Sequence, residues 1–476
     1  MNRNTLRMAL RDDNHLRQSV RSIRQRVREL LPGLPVGIGR DGRSREVALV
    51  INELLLIDDI QEAQANEPTR IPCDCGSTAV RKQRLPRTVQ SVCGPIPLNR
   101  SVYRCPDCEQ QIIPLDRELG IVEGSDCTAA LREVAAFLHT TEPIETASET
   151  IDKTLGFRVA PSVMHRAVQI EGARAKDHLD AQADAAARGE TMPRPMPGQP
   201  ARPMPTGRRQ HDIALLQLDG CMLHERPDWT ETKISVISDL AAHVVKPPSA
   251  GEIARAQLEG REPRGRGMLT RKEYTGSSRT YEEFKARLWE AGVRWGLPTA
   301  GEIAVTCDGA PWCCNAVREL FDVEGRDGHK PKLTLILDWK HAETHLHDAV
   351  AALPESSRTG FRRRWLRGLW ERGNGRGLVR ALRRAAARGL PPDSRAVLLE
   401  QAKYFNKRLS MLDYPAFRAA GLPVGSGAVE GACGHVVQDR CKRRSMTWSS
   451  AGLGHTLDLR LFRINARWHD LYPNVA

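Results

Sequence analysis

Two apolar runs in the C-terminal half end at the dipeptide Asp-Gly, and this pattern constrains the fold most strongly. "HDIALLQLDGCML" reaches Asp219, and "GEIAVTCDGAPW" reaches Asp308. Between them "WTETKISVISDL" alternates like a strand and "TYEEFKARLWEAGVRWG" has helical spacing, while "PKLTLILDWKHAETHLHDAV" then indicates a strand that runs into a helix. Strands that alternate with helices predict a mixed α/β sheet with its active groups at strand ends. Each aspartate alone also fits a simple turn cap, a common role of Asp before Gly.

A third acid, Glu430, lies between glycines and a basic cluster. The segment "GLPVGSGAVEGACGHVVQDRCKRR" spans residues 421–444. Gly425 and Gly427 allow a tight turn into a helix, whose first turn then carries Glu430 toward the two aspartates. A first-turn glutamate also suits the helix dipole without any further role. The basic cluster is predicted to contact a nucleic-acid backbone, and it comprises Arg440, Lys442, Arg443 and Arg444.

Three carboxylates on different elements form a ligand set for hard divalent cations. Mg²⁺ binds one or two carboxylates and completes its shell with water and phosphate oxygens. Two such ions, roughly 3.5 to 4 Å apart, activate an attacking oxygen and stabilise a leaving one during phosphoryl transfer. Asp219, Asp308 and Glu430 are therefore the predicted ligands of two Mg²⁺ or Mn²⁺ ions.

The positive charge of the chain is concentrated in a few segments. The formal net charge is +13, and residues 358–388 hold eleven arginines and one acid, Glu371. Arginine makes forked contacts with phosphate, which makes Arg362, Arg363 and Arg364 candidates for contact with nucleic acid. A solvated arginine face is the alternative. The first 46 residues add eleven arginines against five acids and are predicted to form a basic, partly helical arm.

Four cysteines in the N-terminal half have the spacing of a structural zinc site. Cys73 and Cys75 form a C-x-C pair, and Cys105 and Cys108 form a C-x-x-C pair about thirty residues later. Four thiolates leave no open position on zinc, so the predicted site is structural and not catalytic. The first pair is one residue short of a usual knuckle, and Cys93 is the alternative ligand if Cys73 cannot turn inward. Buried free thiols are the other interpretation.

The sequence predicts a cytoplasmic protein with no membrane partner. No apolar run approaches the ~18 residues that a membrane-spanning helix needs, and the start "MNRNTLRMALRDDNHLRQ" lacks the apolar stretch of a signal peptide. Twelve cysteines in a reducing compartment are not expected to form disulfides.

Three blocks of the sequence together resemble the signature blocks of DDE-type bacterial insertion-sequence transposases, most closely the ISKra group. These blocks are "LQLDGCML", "VTCDGAPW" and "GLPVGSGAVEGACGHVVQDRCKRRSMTW", and the similarity covers most of the chain. The resemblance implies an RNase H-like catalytic fold with an all-helical insertion. In that fold Asp219, Asp308 and Glu430 would be the catalytic metal ligands.

The block "LDWKHA" resembles the D-x-x-H motif of Mutator-like relatives. By that resemblance Asp338 would add a carboxylate near the metals, and His341 would contact phosphate or carry a proton. A structural helix cap with its hydrogen-bonded partner is the alternative. His345 and His347, further along the same predicted helix, are expected at the surface.

The activity implied by the resemblance is DNA transposition. The protein would cut double-stranded DNA at terminal inverted repeats and join the freed ends to target DNA, as a dimer or larger assembly in the bacterial cytoplasm, associated with the nucleoid. A DNA-binding regulator derived from a transposase is one alternative, and a structure-specific RNase H-like nuclease is another.

The predicted domain organisation follows from composition and motifs. Residues 191–209 contain six prolines, a composition typical of an extended linker. The segment from Cys127 to Val168 reads as short helices, which fit either a helix-turn-helix or an ordinary helical bundle. In chain order, we predict a basic helical arm (1–50), a zinc-ribbon-like domain (51–120), a helical, helix-turn-helix-like DNA-binding region (121–183), a Pro/Arg-rich linker (184–210) and an RNase H-like catalytic domain (211–476) with a helical insertion at about 342–421.

Overall fold

The computed structural model describes residues 40–189, 212–258, 266–324 and 328–473, together with a few helical residues between 18 and 29. Most of the predicted basic arm and most of the proline-rich linker lie outside the described residues. The chain divides into two compact units, Met1–Ile170 and Glu171–Ala476. Each unit is described by itself below.

The first unit contains a four-stranded antiparallel sheet with the strand order β1-β2-β3-β4. Its first elements are α1 (Arg40–Ala65), β1 (Arg70–Pro72), β2 (Thr78–Ser91), β3 (Gly94–Arg104), β4 (Gln111–Ile112) and α2 (Pro114–Glu118). β2 and β3 form a long hairpin, and the first residues of β3 alternate between buried and exposed, as expected for a sheet with one covered face. α1 runs without a break across residue 50, where the sequence analysis set the boundary between arm and ribbon.

Helices follow the small sheet. They are α3 (Ala129–His139), α4 (Ile144–Leu155) and α5 (Pro161–Ala187). Leu131, Ile151 and Met164, one from each helix, meet in a small buried core. Thr128 caps the start of α3, because its side chain accepts a hydrogen bond from the Leu131 N–H. α5 begins in the first unit and continues into the second.

The second unit contains a five-stranded mixed sheet. Its elements up to the last strand are β5 (Ile213–His224), β6 (Trp229–Asp239), β7 (His243–Lys246), α6 (Ala250–Leu258), β8 (Arg266–Leu269), β9 (Glu273–Ser277), α7 (Tyr281–Arg294), β10 (Glu302–Cys307), α8 (Pro311–Phe321) and β11 (Lys332–Leu337). The strand order is β11-β10-β5-β6-β9, with β10 parallel to both of its neighbours and β6 antiparallel to both of its own. β5 is central, and residues 214–218 are all buried. The mixed α/β class predicted from the sequence is confirmed.

A layer of helices follows the last strand of this sheet. It comprises α9 (Trp339–Ala351), α10 (Glu355–Arg372), α11 (Gly375–Ala386), α12 (Pro392–Asn406) and α13 (Tyr414–Ala419). Trp339, Trp370 and Tyr414 pack ring against ring, with centroids 4.7 to 6.4 Å apart, and join α9, α10 and α13. The helical segment therefore packs as one layer with the helix that leaves β11.

The chain ends in a further group of helices. They are α14 (Gly427–Ala432), a π-helical stretch (Cys433–Gln438), α15 (Asp439–Cys441), α16 (Ser450–Ile464) and α17 (Trp468–Leu471). Across the described parts of the chain, no helix combines the length and the apolar character that crossing a membrane requires.

Candidate metal centres and nucleic-acid surface

Three adjacent parallel strands of the large sheet bring three aspartates to neighbouring positions: β10 and β11 each end immediately before one, whereas Asp219 lies inside β5, which continues to His224. Cys307 of β10 pairs with Leu218 of β5 on one side and with Leu337 of β11 on the other. The residues that follow these three are Asp219, Asp308 and Asp338. Neighbouring strands lie ~4.8 Å apart, so the three aspartates form a row across the sheet, at the level where β10 and β11 end. We call Asp219, Asp308 and Asp338 the aspartate row.

Asp308 caps the turn that follows β10, whereas Asp219 lies within β5 and bonds to the next residue of the same strand. Asp219 Oδ1 accepts the N–H of Gly220 at 2.8 Å, and Asp308 Oδ1 accepts the N–H of Ala310 at 2.8 Å. Each of these bonds engages one of the two carboxylate oxygens, which leaves the other for a metal ion. The turn-cap interpretation holds for Asp308 and is wrong for Asp219, because β5 continues past it.

The environment of Asp219 raises the free energy of its charged form. Burial raises the pKa of Asp219, the Gly220 N–H opposes that shift, and the nearby charge of Asp308 adds to it. The thiol of Cys433 donates to Asp219 Oδ2 at 3.7 Å, and burial raises the pKa of that thiol, which keeps it neutral. Two acids that repel each other in a partly buried site are stabilised by a cation between them.

Asp338 is 1% exposed, and hydrogen bonds surround its carboxylate. Oδ1 accepts the backbone N–H of His341 at 2.8 Å and lies 3.0 Å from the His341 Nδ1 atom, while Oδ2 accepts the N–H of Ser426 at 2.7 Å. Burial would raise the pKa of Asp338, but the hydrogen bonds from His341 and Ser426 outweigh burial and lower it. The same bond to Asp338 raises the pKa of His341. Asp338 is thus held as a carboxylate.

Glu430 meets the aspartate row at Asp338. Ser426 Oγ donates to Glu430 Oε1 at 2.8 Å, while the Ser426 N–H binds Asp338. One oxygen or nitrogen atom from each of Asp338, His341 and Glu430 lies within 4.8 Å of the others. Cys307, Asp308 and Cys313 form a second such group, whereas Asp219 belongs to no such group among the described residues. Asp338 and His341, for which the sequence predicts an accessory role, therefore group with Glu430, whereas Asp219 and Asp308 do not.

Gln217 fixes the segment that carries Glu430 against the sheet. Its side chain donates to the Gly425 carbonyl at 3.2 Å and accepts the Val429 N–H at 3.1 Å. A backbone bond from the Trp339 N–H to the Val424 carbonyl, at 3.0 Å, ties the same segment to the end of β11. Gln217 was missed by the sequence analysis, and its signal was a lone amide inside the apolar run "ALLQLDG".

Arg440 is a correction to the predicted nucleic-acid surface. Its side chain is only 2% exposed, and its guanidinium lies 5.1 Å from the centre of the Trp448 ring and 3.6 Å from the Met446 sulfur. A guanidinium buried in this way is not available to a phosphate. The remaining predicted contacts are all exposed, namely Lys442, Arg443 and Arg444 after the π-helical stretch and Arg362, Arg363 and Arg364 on α10.

The two predicted surface histidines of α9 differ. His347 is exposed. His345 is half-buried, and its ring stacks on Tyr404 with the centroids 3.5 Å apart, while its Nδ1 atom lies 2.8 Å from Gln401 Oε1. The surface assignment is therefore wrong for His345, because α12 covers it.

The first unit contains a cluster of four cysteines that could hold a metal ion such as zinc. The sulfur atoms of Cys73 and Cys108 are 3.5 Å apart, and those of Cys75 and Cys105 are 3.6 Å apart. Two sulfurs bound at ~2.3 Å to a tetrahedral zinc ion lie ~3.8 Å apart, which agrees with both separations. Backbone N–H groups, first that of Cys108, lower the pKa of Cys105 to about 6, which favours the thiolate that binds metal.

Cys93 does not belong to this cluster. It lies in the turn between β2 and β3, at the opposite end of the hairpin from the four cysteines. Its sulfur accepts a hydrogen bond from the Asn52 side chain at 3.1 Å. The four cysteines of the two short motifs are therefore the candidate ligands, and the alternative ligand Cys93 is excluded by its position.

The chain was also compared with known proteins. Comparison with family models gave no match, and comparison with curated proteins gave none either.

Proposed function

We propose that the protein is a DDE-type transposase whose second unit is an RNase H-like catalytic domain. The observation that carries the proposal is the aspartate row, three aspartates in register on adjacent parallel strands, joined by Glu430 from a helix more than ninety residues later in the chain. Along the chain, β5, β6 and β9 pair antiparallel, and β10 and β11 then add in parallel beside β5. The resulting order, β11-β10-β5-β6-β9, supports this fold.

The donor set suits a hard divalent cation. Carboxylate oxygens are the ligands that Mg²⁺ and Mn²⁺ prefer, and Asp219, Asp308 and Glu430, together with Asp338, would hold two such ions. When bound, these ions supply Lewis-acid stabilisation of the attacking and leaving oxygens. Backbone N–H bonds would orient the carboxylates of Asp219 and Asp308, and Ser426 would orient Glu430.

The proposed reaction is two successive phosphoryl transfers. A water oxygen attacks the phosphodiester at each end of the element, the bond to the 3′ oxygen breaks, and this oxygen leaves as a hydroxyl. That hydroxyl then attacks a target phosphodiester, forms the new bond and displaces a target 3′ oxygen. His341, hydrogen-bonded to Asp338, would hold a proton beside the reacting phosphate.

Double-stranded DNA is the proposed partner. Lys442, Arg443 and Arg444 are exposed shortly after Glu430 in the chain and would neutralise the backbone of the strand being cut. The exposed arginines 362–364 would contact flanking DNA. The cysteine cluster and helices of the first unit would recognise the terminal inverted repeats, with zinc as a structural ion. Two ends must be joined in one complex, so a dimer or larger assembly follows from the function, and the proposed location is the bacterial cytoplasm.

A cleavage and joining assay tests the proposal. Wild-type protein, Glu430→Gln and the exposed control Glu400→Gln are incubated with Mg²⁺, labelled DNA from both flanks of the gene and a target plasmid. We expect wild type and Glu400→Gln to produce cut and joined DNA, and Glu430→Gln to bind the same DNA without cutting it. The glutamine side chain has nearly the shape of the Glu430 side chain but lacks the negative charge that would bind the metal.

The two alternatives give different results in the same assay. Binding without cutting by the wild type, in Mn²⁺ as well as Mg²⁺, would indicate a DNA-binding regulator. Cutting without joined products would indicate a structure-specific nuclease. Either result would overturn the transposase proposal.

A further inference from the structure

The turn that carries Asp308 is held by the end of α12 and the residues just after it. The phenol of Tyr404 donates to the Asp308 carbonyl at 2.9 Å. The guanidinium of Arg408 donates to the Gly309 carbonyl from Nε at 3.0 Å and from Nη2 at 2.6 Å. Two consecutive carbonyls of the turn are thus bound by side chains from a distant helical segment.

The two donors are themselves fixed by a stack of side chains. The Arg408 guanidinium lies 3.8 Å from the centre of the Tyr404 ring, and Arg408 Nη1 also donates to the Tyr404 carbonyl at 3.0 Å. The ring of His345 stacks on Tyr404, and His345 is bound to Gln401. His345 lies one helical turn after His341 on α9. The stack therefore joins the Asp308 turn to α9, the helix that Asp338 caps.

The backbone of the turn leaves room for Arg408 only because residue 309 is glycine. Gly309 has φ +77°, and a Cβ at this position would lie 2.2 Å from Arg408 Nε and 3.1 Å from the Leu337 side chain. The turn and the guanidinium therefore share a space that any larger residue would fill.

The position of the turn determines the direction of the Asp308 carboxylate. Asp308 Oδ1 is bound to the Ala310 N–H, two residues along the same turn. A shift of the turn backbone therefore shifts the carboxylate with it, and metal affinity depends on ligand geometry within a few tenths of an ångström.

We propose that Tyr404 and Arg408 are positioning residues for the metal centre, through which the helical segment sets the geometry of the Asp308 carboxylate. This inference rests on the proposed function, because it takes Asp308 to be a metal ligand. Neither side chain touches the metal or the DNA in this account. Each acts through the backbone of the Asp308 turn, as outer partners of metal ligands do in other metal sites.

Titration of the full-length protein with Mn²⁺, followed by the electron paramagnetic resonance of the free ion, tests the inference without DNA or activity. Tyr404→Phe removes one hydrogen bond to the turn and keeps the ring stack, and we expect the Mn²⁺ dissociation constant to rise about five-fold. Arg408→Ala removes both bonds to Gly309, and we expect a rise of about ten-fold or more. Arg408→Lys, which keeps one donor, restores part of the affinity.

Matched variants separate this inference from the function on which it rests. Lys407→Ala removes an exposed charge next to Arg408 and should bind Mn²⁺ like the wild type. Asp308→Asn should lose the binding. If Asp308→Asn loses it while Tyr404→Phe and Arg408→Ala bind normally at unchanged circular dichroism, the positioning role is wrong and the metal centre stands. If Asp308→Asn binds like the wild type, the metal centre fails and this inference fails with it.

Discussion

At the scale of single residues, Asp338 is a buried carboxylate that accepts an N–H donor on each of its oxygens. Its Oδ1 caps the start of α9, so the cap interpretation made from the sequence is confirmed, and its Oδ2 accepts the Ser426 N–H. It is also the acid that Ser426 links to Glu430. The bond from Ser426 could not be read from the sequence, because Ser426 lies 88 positions further along the chain.

Replacement of Asp338 by Asn tests this bonding. The amide of asparagine has one acceptor oxygen, so its NH₂ group must face an N–H donor from either His341 or Ser426. We expect the urea unfolding transition of the second unit to lose about 2 kcal/mol, because a buried donor is left without an acceptor. Asp348→Asn, an exposed change on the same helix, should stay within about 0.5 kcal/mol of the wild type. Equal unfolding of the Asp338→Asn variant and the wild type would mean that these bonds do not fix the carboxylate.

At the scale of elements, the helix that starts at Gly427 shows why the burial of Arg440 could not be predicted from the basic cluster. Its π-helical stretch, Cys433–Gln438, has more residues per turn than an α-helix, so helical periodicity no longer predicts which face a later residue occupies. The buried Arg460 donates to the Val436 carbonyl at 2.6 Å and also to the His435 carbonyl. Both carbonyl oxygens of the π-helical stretch thus receive a side-chain hydrogen-bond donor. π-helical turns are frequent at functional sites.

The cysteine cluster is the element whose sequence signal was most complete. The C-x-C and C-x-x-C motifs predicted the cluster, and the antiparallel sheet brings together the two turns that carry them. The sequence left open whether Cys93 is a ligand. Its distance from the other cysteines depends on the length of the β2–β3 hairpin, which only the structure shows.

Metal content tests the cluster. We expect native mass spectrometry to find about one zinc ion per chain, and a chelator to lower the melting temperature of the first unit, because a structural zinc ion stabilises only the folded state. Cys75→Ser should lose the ion and Cys93→Ser should keep it. Retention of zinc by Cys75→Ser, or its loss from Cys93→Ser, would contradict the ligand set described above.

At the scale of the whole molecule, local patterns predicted elements well and their lateral arrangement poorly. The apolar runs predicted the strands β5, β10 and β11, although β5 continues past Asp219 to His224 and most of β11 is only partly buried. The partners Gln217, Tyr404 and Arg408 were missed, because their bonds join positions that are roughly one hundred or more residues apart. Contacts of this kind produce only weak signals in a single sequence, such as a polar residue within an apolar run.

The central claim is that the aspartate row and Glu430 form one metal centre. The most direct measurement is anomalous scattering from crystals of the full chain grown with Mn²⁺ and DNA from the flanks of its gene. We predict manganese peaks bounded by Asp219, Asp308, Asp338 and Glu430, and weaker or absent peaks in Glu430→Gln crystals, with the zinc peak of the four cysteines as an internal control. A clear zinc peak with no manganese among these four carboxylates would contradict the account.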